Sequence, residues 1–474
     1  MGQEYVLKAI SEIETLAKSE GLDFFPTIFE FVDKDIMLEG CSYGLPVRAR
    51  HWSYGRSYQH QKLYGEMGFS KVYEIVFNND PSYAFLLNTN PDVINIMVGA
   101  HVYGHVHFFK NNTMFKSSDK SMIYRAAERA TRVDKYIEQL GLEAVENLMD
   151  MGFALDNHID WHKGLFREKY PAKRTIQQVR KQDEFSDLLN FSNKNKERSV
   201  KKIVIGDSLP PHPEKDILWF LINYAPLEDW EKDILSIIRE ESYYFYPIVM
   251  TKIMNEGFAS FWHAELMYKY DKLSEQEYID FAKTHAGVVN PGSPFSINPY
   301  YLGFKIFTDI RERWDKLFAE GKSTISGIQK VIEVAAEEDD GSFLRNYLTR
   351  DLANKLGLFN YGYKLKREAD EDPKELTEEH GVIELKDRDL DKLIENIIRS
   401  TLNYGAPLIT VEEVDGETLT LKHRDKVGTL HEKYMEKTME YLYTLWGGPV
   451  ELETFGSDGE KQVYCFDESG FELL

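Results

Sequence analysis

"NTNPDVINIMVGAHVYGHVHFF", residues 88–109, decides the reading of the chain. Asn90 is a good N-cap, Pro91 suits the first helical position and Asp92 complements the positive end of the helix dipole. A helix is therefore expected over 91–109. It carries three histidines in an otherwise apolar, aromatic stretch. His101 and His105 are four residues apart, which stacks their rings on one helical face as half of a metal site. His107 lies about 200° around the helix from His105 at 3.6 residues per turn and faces elsewhere.

Zinc hydrolases built on H-E-x-x-H use the residue after the first histidine as general base. Here the order is His-Val-Tyr-Gly-His, and Val102 cannot accept a proton. Any base must come from another segment. A metal also needs a third ligand, since catalytic zinc sites have three protein ligands and an open position. "MNEGFASFWHAEL", residues 254–266, supplies one: Glu256, Ser260 and His263 fall on one helical stripe among Met254, Phe258, Phe261 and Trp262. An acid buried there is costly unless something partners it, and a divalent metal, zinc above all, would. The ligand set expected is His101, His105 and Glu256, with His263 orienting or completing it. His158, in "LDNHIDWH", is open to three readings: a further ligand, a donor to a ligand, or a polar contact at a helix end. A satisfied core histidine is the bland alternative for the whole cluster.

Around these stretches the chain reads as mainly α with a small β element. "KVYEIVFNND" (71–80) alternates as a strand, 121–160 is helical with a break at Leu140-Gly141, and Pro226 and Pro247 mark boundaries or kinks. Between Lys163 and Lys202 there are 12 Lys/Arg against 5 Asp/Glu, a charged insertion extending to about 163–215. It reads as a solvated excursion rather than a polyanion-binding arm. "EEDDGS" (337–342) reads as a hinge. Beyond it, strand, helix and an Asp415-Gly416 hairpin describe a small α+β domain. The partition expected is 1–340, mostly helical, followed by 341–474.

The chain has 474 residues and a net charge of −22, which disfavours nucleic acid and anionic lipid as ligands. Its two cysteines, Cys41 and Cys465, exclude a disulfide framework and a Cys-rich zinc site. The amphipathic N-terminus is unlike a secretory signal, Val6 stands where a myristoylation signal wants Ser or Thr, and no apolar run is long enough to span a membrane. A soluble, unexported protein is expected. "EGKSTISG" fails as a phosphate loop because residue 316 is Lys, and no G-x-S-x-G or G-x-G-x-x-G occurs.

"HWSYG", "AHVYGHVHFFKNN", "LEDWEKDILSIIREESYYFYP", "TKIMNEGFASFWH", "INPYYLGFKIFTDI" and "LWGGPVELETF" together resemble the stage V sporulation protein R family, the SpoVR-like proteins, over about residues 5–455. The resemblance implies a cytoplasmic bacterial protein connected with formation of the spore cortex, a peptidoglycan layer, and found alongside a serine-kinase-type partner. It implies no catalytic assignment. His101 and His105 fall on the family's A-H-x-x-x-H block, Glu256 and His263 on its N-E-G…F-W-H block, and His158 where the family tends to have His.

The order of strand 71–78, helix 91–109 and Glu256 also matches a zincin-like helical core. Two functions stay open. One is a metal-dependent hydrolase or amidase acting on a peptide or cell-wall precursor. The other is a non-catalytic sporulation factor with a structural metal or polar site that works by binding a protein partner.

Overall fold

The computed structural model describes residues 2–43, 50–66, 74–170, 175–177, 202–204, 209–293, 295–365, 381–401, 405–424 and 428–474. The chain is mostly helical, with a sheet in its C-terminal part. It divides into two compact units: one from Met1–Arg48, Ser53–Ala127 and Pro247–Gly405, the other from Ala49–Trp52, Glu128–Tyr246 and Ala406–Leu474. Among the described residues no helix is long and apolar enough to cross a membrane.

The first unit is built around helix α2 (Asp92–Asn111), and every residue of it from Val93 to Phe109 is buried. A helix apolar on all sides has to sit inside a core, and this one is packed all round. Helix α1 (Gln3–Ser19) covers one side with Val6, Ile10 and Ile13. Strands β1 (Thr27–Val32), β2 (Glu74–Val76) and β3 (Ser82–Leu87) form a sheet in the order β1-β3-β2. β1 runs parallel to β3 with Thr27 opposite Ser82, and β2 runs antiparallel with Glu74 opposite Leu86. β2 is therefore an edge strand; the part of its expected span at 71–73 lies outside the described residues.

From β3 the chain turns directly into α2. The helix starts one residue later than expected: Pro91 occupies the cap position with extended ψ, and its carbonyl accepts the first helical N–H bonds, from Ile94 and Asn95. Asn90 bonds the Asn95 side chain instead of a backbone N–H.

Helix α3 (Lys252–Lys269) crosses α2 at a point where both lack bulk. A Cβ on Gly104 would lie 2.7 Å from Ala259 Cα. Helix α4 (Glu275–Val288) follows, and helix α5 (Pro299–Ala319) packs on the far side of α3. There a Cβ on Gly257 would meet Gly303 Cα at 2.3 Å. Small residues at both crossings let three backbones close on one another.

The start of α3 is held from a distance. Asp340, fully buried, accepts from the backbone N–H groups of Ile253 and Met254, both at 2.8 Å. Within 337–342, where a hinge is expected, Asp340 and Gly341 are buried, and the acid satisfies two helix-terminal donors that would otherwise be orphaned. Strands β4 (Asn360–Leu365) and β5 (Gly381–Asp387) pair antiparallel, and helix α6 (Leu390–Thr401) completes the unit.

The second unit carries a five-stranded sheet, β6 (Ile409–Asp415), β7 (Thr418–His423), β8 (Val450–Phe455), β9 (Lys461–Asp467) and β10 (Gly470–Leu473), in sequential order. β6 and β7 form the expected Asp-Gly hairpin, with Gly416 at φ 62. β7 and β8 are parallel, joined through the helix Glu432–Trp446. The helices Met122–Leu140 and Leu142–Phe153 break at Gly141, φ 93, as the sequence suggests. Pro247 lies inside the helix Asp229–Met250.

The compact units divide the chain differently from a linear cut at 340/341. Glu214 and Val411 exchange both backbone hydrogen bonds, and Glu214, wholly buried, also pairs with Lys163 and Arg167. These contacts bind the C-terminal sheet to the ends of the charged insertion. Within the insertion Thr175–Gln177 pairs with Lys202–Val204, and most of the remainder lies outside the described residues.

Candidate metal centre

His101 and His105 stand one turn apart on α2 with ring centroids 4.5 Å apart, edge to face. From the second turn of α3, Glu256 Oε2 lies 3.7 Å from His101 Nε2 and 3.5 Å from His105 Nε2. From the edge strand β2, Glu74 Oε1 lies 3.7 Å from His101 Nε2. Ligand atoms of Glu74, His101 and His105 all fall within 4.8 Å of one another.

These separations are too long for hydrogen bonds, whose N···O distances run from about 2.7 to 3.2 Å. His101 Nε2 and Glu256 Oε2 are buried and have no hydrogen-bond partner among the described residues. Ligands held at 2.0–2.1 Å around one tetrahedral ion stand about 3.3 Å apart, close to the spacing here. The donor set therefore fits a divalent metal better than it fits a self-satisfied polar cluster. The His101 and His105 side chains are each 5% exposed, whereas the Glu74 and Glu256 side chains keep 16% and 18%.

Each ring is oriented by a bond at its other nitrogen. His105 Nδ1–H donates to Asn255 Oδ1 at 2.9 Å, which leaves a lone pair on Nε2 facing Glu256. His101 Nδ1 lies 2.9 Å from His263 Nδ1, and His263 Nε2 lies 2.7 Å from His285 Nδ1. Two opposite relays satisfy both contacts, and in the one a metal ligand requires, His101 Nδ1–H donates to His263 and His263 Nε2–H donates to His285. It again leaves the His101 Nε2 lone pair pointing into the cluster. Tyr300, at the start of α5, stacks over His101 with centroids 6.1 Å apart.

The electrostatics follow from burial opposed by neighbours. Burial alone would raise Glu256, but the His101 and His105 rings outweigh it and hold the carboxyl well below its usual range. Burial alone would lower His105, yet the Glu256 carboxylate raises it. Glu74 is raised, chiefly by burial. His263 is driven well below the ordinary imidazole value by burial and then by His101. His285 is lowered to about 4 by burial, then by the charge of Lys305.

The structure brings His101, His105, Glu256 and His263 together. His158 belongs to the second unit, where its backbone carbonyl accepts from Ile217 N–H at 3.0 Å and burial, then Lys215, lowers its ring to about 4. Ser260 is fully buried and its hydroxyl has no partner among the described residues. His107 faces away, accepting the Asp23 N–H at 2.9 Å and stacking on Phe258. Glu74, Asn255, His285 and Tyr300 are members that sequence reasoning missed. A lone acid in the alternating run 72–77 was the available signal for Glu74; nothing local marks the other three.

His158 gives a pH test. Its folded value of about 4 lies below the unfolded value near 6.5, so the unfolded chain takes up a proton that the folded chain refuses as pH falls through that window. The ring therefore costs no stability above pH 6.5 and progressively more below it. Between pH 7 and 4.5, urea unfolding of the parent should lose about 2–3 kcal/mol relative to His158→Phe. Parallel pH profiles would show that the ring titrates normally.

The SpoVR like protein family matches residues 2–395, and the SpoVR-like C-terminal domain matches residues 407–457. The chain is 30% identical over 492 residues to the Uncharacterized protein YcgB of Escherichia coli (strain K12), covering 96% of this chain and 92% of that one. No solved structure matches.

Proposed function

This chain belongs to the SpoVR-like family, and from that premise we propose that it is a sporulation-associated, metal-dependent hydrolase or amidase of zincin-like arrangement acting on a peptide or cell-wall precursor of the spore cortex. One observation carries the reading: two oriented imidazole nitrogens and a buried carboxylate oxygen converge without bonding one another, at the spacing of a shared ligand shell. His101, His105 and Glu256 would hold the ion, most simply zinc, with His263 holding the His101 ring at its Nδ1. A bound divalent ion supplies Lewis-acid polarisation of a carbonyl and an acidified water.

The chain's own residues supply the rest. Val102, fully buried, leaves the usual base position on the histidine helix empty of any proton acceptor. Glu74 would fill that role from another element, reaching His101 from the edge strand, its carboxyl raised chiefly by burial. β2 lies at an edge of its sheet, where backbone groups could pair with an extended peptide. Tyr300 closes over His101 and shields it.

The experiment is elemental analysis of the purified protein with Glu74→Gln beside it. About one divalent ion per chain is expected in both, with turnover of a cortex-type peptide lost in Glu74→Gln. Loss of the ion in Glu74→Gln would instead make Glu74 a ligand. Substoichiometric metal in the parent, unchanged by alanine at His101, would remove the proposal. The non-catalytic alternative is favoured by Val102 alone: a retained ion with all four carboxylate and imidazole groups coordinated and no open position would support a structural centre.

A further inference from the structure

The first unit contains a cavity of about 710 Å³ that the metal centre does not use. It is bounded by the first turn of α3, the stretch leading into α5, the paired strands β4 and β5, and α6. That volume is within the roughly 300–1,000 Å³ of small-molecule sites. Its walls are aliphatic, with Ile253 and Leu302 on one side and Leu393 and Ile397 on the other.

The charged groups of the cavity's described lining are of one sign. Lys252, Lys386 and Lys392 reach it from three different elements, and among the described residues no acidic side chain lines it. Lys392 bonds Asp387 at 2.7 Å, outside the lining, whereas Lys252 and Lys386 form no ion pair among the described residues. In a chain of net charge −22, three lysines, two of them without an ion pair among the described residues, gather round a largely apolar pocket. An anion placed there is attracted by the lysines, and an apolar body attached to it is taken out of water by the walls.

We propose that this cavity binds an amphipathic anion, a small molecule with an aliphatic body and one anionic head, the head among Lys252, Lys386 and Lys392 and the body against Ile253, Leu302, Leu393 and Ile397. Lys252 lies one helical turn before Glu256 on α3, so an occupant would brace the helix that carries the carboxylate. The inference does not depend on the metal reading, and its test is run on chelator-treated protein.

The probe is decanoate, titrated calorimetrically below its aggregation range into the full chain. One saturable site per chain is expected, with decanol and inorganic phosphate each binding at least about tenfold more weakly, because each carries half of the recognition. Lys252→Glu combined with Lys386→Glu should weaken decanoate at least about tenfold. Ser400→Trp, placed on the exposed side of α6, should fill the cavity and remove binding. Melting curves within a few degrees of the parent establish that the variants fold, and if Ser400→Trp does not, the charge reversals decide alone. Multiple weak sites, no saturable binding, decanol binding as tightly as decanoate, or variants that bind like the parent would each overturn the proposal.

Discussion

Glu256→Ala should release the divalent ion, lowering metal affinity by at least about a hundredfold as read by competition with a fluorescent chelator. The remaining pair, His101 and His105, holds metal weakly, because two neutral imidazoles supply neither the charge nor the third ligand of a catalytic site. Glu256 is the carboxylate whose oxygen lies within 3.7 Å of both ring nitrogens. A second readout separates ligand loss from unfolding. In metal-free parent the Glu256 carboxylate raises His105, against burial; without the carboxylate, burial acts unopposed by it and the ring value falls. NMR titration of the His105 ring in metal-free parent and variant should show that downward shift. Equal metal affinity in the two proteins would mean that the carboxylate is no ligand.

Gly257→Ala should destabilise the first unit by about 3 kcal/mol and weaken metal binding at the same time. The added Cβ would sit 2.3 Å from Gly303 Cα and 2.4 Å from Gly303 C, and both are backbone atoms that no rotamer change can move aside. α3 and α5 must separate. Because Glu256 precedes Gly257, the separation also carries its carboxylate away from the rings. Gly287→Ala is the control: it lies in α4 with nothing within 4 Å of its Cβ, so it should be neutral or stabilise by up to about 1 kcal/mol. Urea unfolding followed by tryptophan fluorescence distinguishes the two, and a Gly257→Ala transition overlying the parent's would refute the tight-crossing account.

Local patterns announced the elements well. The helix at 91–109, the break at Gly141 and the Asp415-Gly416 hairpin are all visible because each depends on residues adjacent in sequence. The burial of Asp340 within 337–342 is invisible in the sequence for the converse reason. An acidic, Gly-containing stretch looks solvated until Asp340 is seen buried against the N–H groups of Ile253 and Met254, almost ninety residues away. Likewise the C-terminal sheet looks like an independent domain until Val411 is paired with Glu214.

The sequence by itself determined that His101 and His105 share one helical face and that Glu256 and His263 share another, since helical periodicity is a property of the chain alone. Only the tertiary structure decided that the two faces meet, that Glu74 joins them and Asn255 and His285 orient the rings, and that His158 belongs to the other unit. Convergence depends on how closely helices approach, and that distance is set by glycines at the crossings against backbone far away in sequence, a relation no local pattern encodes.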